Sequence, residues 1–411
     1  MWRIESRRVV AALARMVRDL DLAEELAQDA LVAALERWPV DGIPDAPGAW
    51  LVATAKHRAI DVLRRRQTLD RRTAELGRDV EQRQADDPGV DVDAVLLERD
   101  FGGDDVLRLV FTTCHPELST EARVALTLRL LGGLTTEEIA RAFLTSEATI
   151  AQRIVRAKQR LVKVRDTFEV PSGDELGARL DSVLEVVYLV FNEGYAATSG
   201  DDAIRPELCN DALRLGRVLA RLAPDEPEVH GLVALMELQA SRFRARTDAA
   251  GEIVLLLDQN RGRWDHLLIR RGLAALDRAL ESGGGALGPY GLQAAIAACH
   301  ARATTAEATD WHEIARLYAL LVAIVPSPVV ELNRAVAVSM ADGPAAGLAI
   351  VDTLVDVPAL AQYHLLPSVR GDLLQKLGRV EEARTEFVRA AELTANARER
   401  VLLEQRAADC D

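Results

Sequence analysis

The sequence predicts an all-α protein: two small helical modules, over residues 1–72 and 106–166, followed by a helical-repeat domain over 169–411. Three observations carry this prediction. Apolar residues recur at steps of three and four through many long segments, the period of an amphipathic helix. At 411 residues, 49% hydrophobic and 28% charged, the chain has material for two to four folded cores. The charge also changes sign along the chain: the net is −14, yet two short segments are strongly basic, so parts with different partners are joined.

The first helix signal pairs Asp21 with Glu24, as in a capping box, ahead of a packing stripe of Leu22, Leu26, Ala30, Leu31 and Leu35. Glu24, Glu25, Gln28 and Asp29 form its acidic outer face. DNA would repel that face; it fits a basic protein partner and plain solvation equally well. Trp38-Pro39 should stop the helix, and the segment to Pro47 holds three prolines and one glycine, a constrained loop.

A basic helix is expected next, from Trp50 to Arg66. Val52, Ala55, Ala59, Val62 and Leu63 form its inner stripe, and Lys56, His57, Asp61, Arg64, Arg65 and Arg66 are offered outward. Trp50 to Arg72 holds seven Lys or Arg against two Asp. Beside the constrained loop, such a helix can hold a base flipped out of a melted strand. Over 73–105 there are eleven acids and three arginines with little apolar periodicity, which predicts a flexible, extended linker that does not bind DNA. At roughly 3.3 Å per residue it can span on the order of 100 Å.

The second module carries the sharper motif. Thr135 with Glu138 makes a capping box before Ile139, Ala142 and Phe143; Leu144 to Ser146 makes a turn, and Ser146 caps a second helix. Ile150, Ile154, Ala157 and Leu161 give that helix its apolar stripe. Thr149, Gln152, Arg153, Arg156, Lys158 and Arg160 are left for DNA, where Gln and Arg reach base edges and the other side chains reach phosphates. Seven basic residues against one acid, Glu147, between Arg141 and Arg165 make the segment a helix-turn-helix reader of a major groove.

Residues 169–411 are acidic overall and rich in amphipathic runs punctuated by glycine and proline. Gly371, Leu374, Gly378, Ala383, Phe387 and Ala390 fall at the small and large positions of a tetratricopeptide-like pair, and Asn333 to Leu354 is a weaker copy. Stacked pairs make a concave surface for a peptide, a protein segment or a small ligand. Asn192, Glu193, Tyr195, Asp258, Arg263, Trp264 and Asp265 are candidates for a regulatory pocket there, against a reading as structural salt bridges.

Catalytic, metal and cofactor signatures are not expected: the seven histidines stand at no ligand spacing and no glycine-rich phosphate loop follows a strand. Cys114, Cys209, Cys299 and Cys410 are far apart in sequence and are expected as reduced thiols. No twenty-residue apolar stretch and no export signal is present, which predicts a soluble, cytoplasmic protein.

Two blocks resemble the extracytoplasmic-function (ECF) class of the sigma-70 superfamily of RNA polymerase sigma factors. AEELAQDALVAALERW, Ala23 to Trp38, resembles the part of sigma region 2 that binds the clamp helices of the polymerase largest subunit, and WLVATAKHRAIDVLRRR resembles the part that melts and reads the downstream promoter element. Leu118 to Leu161 resembles sigma region 4, which reads the upstream element as duplex. The match begins almost at Met1, so the usual first helix is expected to lack a few residues. The remainder resembles the subgroup with a long tetratricopeptide-like (TPR) extension.

The resemblance implies polymerase binding by Glu24, Glu25, Gln28 and Asp29, downstream contacts by Lys56, His57, Asp61, Arg64 and Arg65, and upstream contacts by Gln152, Arg153 and Arg156. It also implies regulation in cis by the extension. His57 stands where Asn is common, and Ala151 and Gln152 where a basic residue and Ser are common, so a relative's promoter sequence does not transfer. The competing expectation is a one-component, ligand-responsive helix-turn-helix regulator that binds operator DNA without polymerase.

Overall fold

The structure, a computed structural model, describes residues 2–76, 103–143, 145–164, 168–169, 171, 174–195, 206–248, 253–394 and 396–410. Most of the expected acidic linker, 77–102, and Leu144 of the expected turn lie outside the described residues. The predicted all-α class is observed: among the described residues there is no strand, and an isolated antiparallel bridge joins Thr247 and Ile253. The chain divides into two compact units, Met1–Val186 and Val187–Asp411.

The first unit opens with α1 (Trp2–Val17), whose Val9, Val10, Leu13 and Met16 are buried. Then come α2 (Leu20–Asp41) and α3 (Pro47–Leu76). The α2 cap is Asp19 instead of Asp21: its carboxylate accepts the Asp21 and Leu22 N–H groups at 2.9 and 3.1 Å, and Arg18 takes φ +49° to turn the chain into it. Pro39 does not stop α2. The helix continues to Asp41, because a proline in the last turn forfeits only one backbone bond and Gly42 restores the end by donating to the Trp38 carbonyl at 3.0 Å. Leu35, expected to pack, is exposed.

Helix α3 begins at Pro47, a residue suited to a first helical position, and runs past the expected end. Its buried stripe is Leu51, Ala55, Ala59, Ile60 and Leu63, with Val52 and Val62 only half buried. The stripe is rotated from the expected one because Leu51 and Ile60 present the larger apolar surface.

The rest of this unit comprises α4 (Gly103–Thr113), α5 (Thr120–Thr127), α6 (Thr136–Ala142), α7 (Glu147–Leu161) and the start of α8 (Asp174–Tyr195). A π turn, Leu128–Gly132, extends α5. The predicted capping box is formed: the Thr135 N–H donates to Glu138 Oε2 at 2.8 Å and the Glu138 N–H to Thr135 Oγ1 at 3.1 Å. Ser146 caps α7 by accepting the Thr149 N–H at 3.1 Å, and Ile150, Ile154, Ala157 and Leu161 are buried as expected. Arg179 donates to the Phe111 carbonyl at 3.0 Å and Ser182 Oγ to the Cys114 carbonyl at 2.7 Å, which fixes the first turns of α8 on α4.

The second unit is built from the helices α9 (Pro206–Leu222), α10 (Pro227–Ala240), α11 (His266–Ser282), α12 (Pro289–Arg302), α13 (Trp311–Ile324), α14 (Pro328–Asp342), α15 (Pro344–Asp352), α16 (Leu365–Lys376), α17 (Val380–Leu393) and α18 (Ala397–Ala408), in which α10 packs against both α11 and α12 and the later helices each pack on the next. The expected repeat positions are where pairs close. A Cβ on Gly371 would lie 2.9 Å from the Phe387 ring and 3.2 Å from the Ala383 carbonyl, and one on Gly347 would lie 2.4 Å from Ser339 Cβ. In both pairs only glycine lets the backbones approach this closely. Phe387 is fully buried, so its loss would cost about 3–5 kcal/mol.

Candidate nucleic-acid and polymerase interface

Three surfaces of the first unit carry the expected functional residues. On α2, Glu25, Gln28 and Asp29 are exposed, and Asp29 lies 3.2 Å from Arg58 of α3. Val32, Leu35, Val40 and Ile43 are exposed beside them, at 51%, 66%, 84% and 64%, so the acidic face borders an apolar strip. Sequence reasoning gave Leu35 a packing role, which its exposure overturns, and gave the other three none. Their position off the buried stripe, together with an unbroken apolar composition, was the available signal.

Glu24 differs from its neighbours. It is half-buried, and two cations reach it: Arg129 Nε from the π turn at 2.5 Å and Lys158 Nζ from α7 at 2.8 Å. Lys158 also bonds Asp21 at 2.7 Å. Lys158 therefore departs from the outward position expected for it: it is buried, and its aliphatic stem packs while its ammonium sits between two carboxylates. Burial alone would lower its pKa, but the charge on Glu24 and the hydrogen bonds to Asp21 and Glu24 outweigh it and raise the pKa. Lys158 is a fixed cation here.

The rest of the α7 set stays on the surface. Gln152 and Arg156 are exposed, Arg153 is half-buried, and Thr149 lies in the first turn beside the Ser146 cap. Arg160 is exposed and donates to Glu117 at 2.7 Å, an exchangeable pair. On α3, His57, Asp61, Arg64 and Arg65 are exposed and Lys56 is half-buried; the Arg66 side chain lies outside the described residues. Trp38 and Trp50 meet edge to face, 5.5 Å between centroids, at the ends of the short segment joining α2 to α3. The two tryptophans flank the expected strand-capturing loop with apolar walls.

In the second unit, two of the seven expected pocket residues come together. Tyr195 and the buried Trp264 both lie against Arg242, at 5.8 and 5.9 Å from ring centroid to guanidinium. Asp258 and Arg263 are exposed, Glu193 is buried and Asn192 half-buried. Asp265 is committed to the N-cap of α11, accepting the Leu267 and Leu268 N–H groups at 2.9 and 3.1 Å. Arg261, in the same polar run as Asp258 and Arg263, lies over the Trp264 ring, and sequence reasoning missed Arg242, Arg246 and His300. The spacing of Arg242 and Arg246, one helical turn apart in SRFRAR, was the only local signal. The four cysteines are free, and burial pushes the Cys114 and Cys209 thiols up.

Comparison with known proteins matches residues 1–68 to sigma-70 region 2, residues 108–161 to sigma-70 region 4, and residues 179–280 to a family of unknown function, DUF6596. The chain is 30% identical over 152 residues to the ECF RNA polymerase sigma factor SigK of Mycobacterium ulcerans, covering 36% of this chain and 74% of that protein. This chain is a sigma factor of the sigma-70 family, ECF type. An uncharacterized protein of Rhizobium meliloti is 46% identical over 397 residues, 95% of this chain and 90% of its own, so the whole architecture recurs in a relative. Like its family, the sigma factor binds core RNA polymerase and promoter DNA, and the operator-binding alternative falls away. No helix among the described residues is long and apolar enough to cross a membrane.

Proposed function

We propose that this sigma factor rests in a closed form in which its own region 4 occupies the polymerase-docking residue of region 2, and that the C-terminal helical domain regulates release in cis. The observation that carries this reading is Glu24, held by Arg129 and Lys158 on opposite oxygens. A carboxylate so paired is unavailable to a basic partner until both bonds exchange. Exchange is feasible because promoter phosphates can replace the carboxylates that Arg129 and Lys158 release.

In the open form, residues 1–72 engage polymerase through Glu24, Glu25, Gln28, Asp29 and the apolar strip beside them, while Lys56, His57, Asp61, Arg64 and Arg65 face the melted downstream strand. Residues 73–105 tether that module to 106–166, where Gln152, Arg153 and Arg156 read the upstream duplex. The sigma factor supplies binding energy that favours the open promoter and forms no covalent intermediate. The C-terminal domain, 169–411, has its first turns anchored within the first unit by Arg123, which donates to Ser182 and, at 3.0 Å, to Glu185. That anchor gives it a route to the closed form.

Run-off transcription with core polymerase tests the cis regulation. Truncation after Val186 keeps the Arg123 anchor and removes the second unit; self-inhibition predicts more promoter-dependent transcript, and required assistance predicts less. No change in transcript would end the proposal that the second unit regulates.

A further inference from the structure

The second unit contains an alternating stack of cations and rings in the order Arg246, Tyr195, Arg242, Trp264, Arg261. Arg246 lies 3.8 Å and Arg242 5.8 Å from the Tyr195 ring centroid; Arg242 lies 5.9 Å and Arg261 4.8 Å from that of Trp264. All five residues fall within the segment 179–280 matched to the family of unknown function.

The hydrogen bonds of these arginines end on neutral oxygens. Arg242 donates to the Tyr195 hydroxyl at 2.6 Å and to Gln239 Oε1; Arg246 donates to the Tyr195 carbonyl. Arg261 donates to the His300 carbonyl, to the Ala303 carbonyl at 3.0 Å and to Thr309 Oγ1 at 3.1 Å. None of the three forms a salt bridge among the described residues. Of the acids whose charge reaches them, Glu399 is held by His364 at 3.0 Å and by Thr394 at 2.8 Å, and Glu307 is exposed.

An arginine as buried as Arg242, 9% exposed, is ordinarily paired with a carboxylate. Here the rings hold three like charges together, and burial with mutual repulsion lowers the pKa of Arg246 and of Arg261. Two further groups of the cluster lack partners: His300, 8% exposed, has a buried Nδ1 with no hydrogen bond, and so has Trp264 Nε1. Each guanidinium has five donors, and the described bonds number two on Arg242, one on Arg246 and three on Arg261.

We propose that this stack is a binding site for a dianionic oxyanion of the phosphate class. Guanidinium forks match the oxygens of such an anion two at a time. A single carboxylate would leave most of the positive charge uncompensated, whereas phosphate brings a charge of about −1.5 to −2. The proposal does not depend on the closed form of the first unit, and the two fail separately.

Equilibrium dialysis of the full chain against labelled inorganic phosphate at constant ionic strength tests it. One equivalent should bind saturably, sulfate should compete, and acetate should compete at least tenfold more weakly. Arg242→Gln should weaken phosphate at least tenfold, while Arg244→Gln, at the exposed position between two members of the stack, should leave it unchanged. Should the circular dichroism of Arg242→Gln show loss of fold, Arg261→Gln replaces it. Absence of saturable binding by the wild-type chain, equal competition by acetate, or unchanged binding in the folded variant would each overturn the assignment.

Discussion

Two groups of cations, one in each unit, are held in opposite ways, although the second unit also holds ordinary pairs such as Arg370 with Asp352 and Arg406 with Asp372. In the first, cations meet carboxylates: Lys158 with Asp21 and Glu24, Arg129 with Glu24, and Arg15 with Asp105 at 3.0 Å. In the second, Arg242, Arg246 and Arg261 meet aromatic faces and neutral oxygens. A carboxylate partner can be exchanged for a phosphate of DNA or for a basic protein, so the first arrangement suits residues that change partners. An aromatic face holds a cation in place without neutralising it, so the second suits residues that wait for an anion.

The largest effect that sharpens this contrast is expected from Trp264→Ala. Removing a nearly buried ring from between two cations should destabilise the second unit by about 3–5 kcal/mol, read by urea unfolding monitored through hydrogen exchange in α11 and α12. A cost near that of an exposed substitution would mean that the rings do not hold the stack.

Acid should act next. Burial, then the charges of Arg242 and Arg261, push His300 down to about 4, against about 6.5 in an unfolded chain. The unfolded state therefore binds a proton that the native state refuses between these values. Stability should be complete above about pH 6.5 and fall as the pH drops towards 4, by at most about 3 kcal/mol. His300→Gln should flatten that slope, and an unchanged slope would remove His300 from the cationic cluster.

The smallest effect belongs to the exposed pair Arg58 and Asp29. A double-mutant cycle on their 3.2 Å contact should give no more than about 0.2–1 kcal/mol, weakening with salt. A larger coupling would mean that the acidic face of α2 is braced by α3 and is less available for docking.

Much of this was legible in the sequence where the controlling interaction is local. The Thr135 capping box, the Ser146 cap, the α7 stripe and the Gly371 approach to Phe387 depend on residues within a few turns of one another. Boundaries shifted where a neighbour competed: Asp19 displaced Asp21 as the α2 cap, and Pro39 sat too near the helix end to break it. The inward turn of Lys158 was not legible, because it borders the buried Ile154 and Leu161 and its partners lie more than 130 residues upstream. The arginine stack was legible only in part: Tyr195 and Trp264 stood out as pocket candidates, but no periodicity links them to Arg242 and Arg246.

Core polymerase binding by Lys158→Met tests most directly whether region 4 masks the docking residue of region 2. Removing one of the two cations on Glu24 should favour the open form and raise affinity for core polymerase about tenfold, roughly 1.4 kcal/mol, whereas Glu24→Lys should lower it. Unchanged or weakened core binding by a folded Lys158→Met protein would contradict the account.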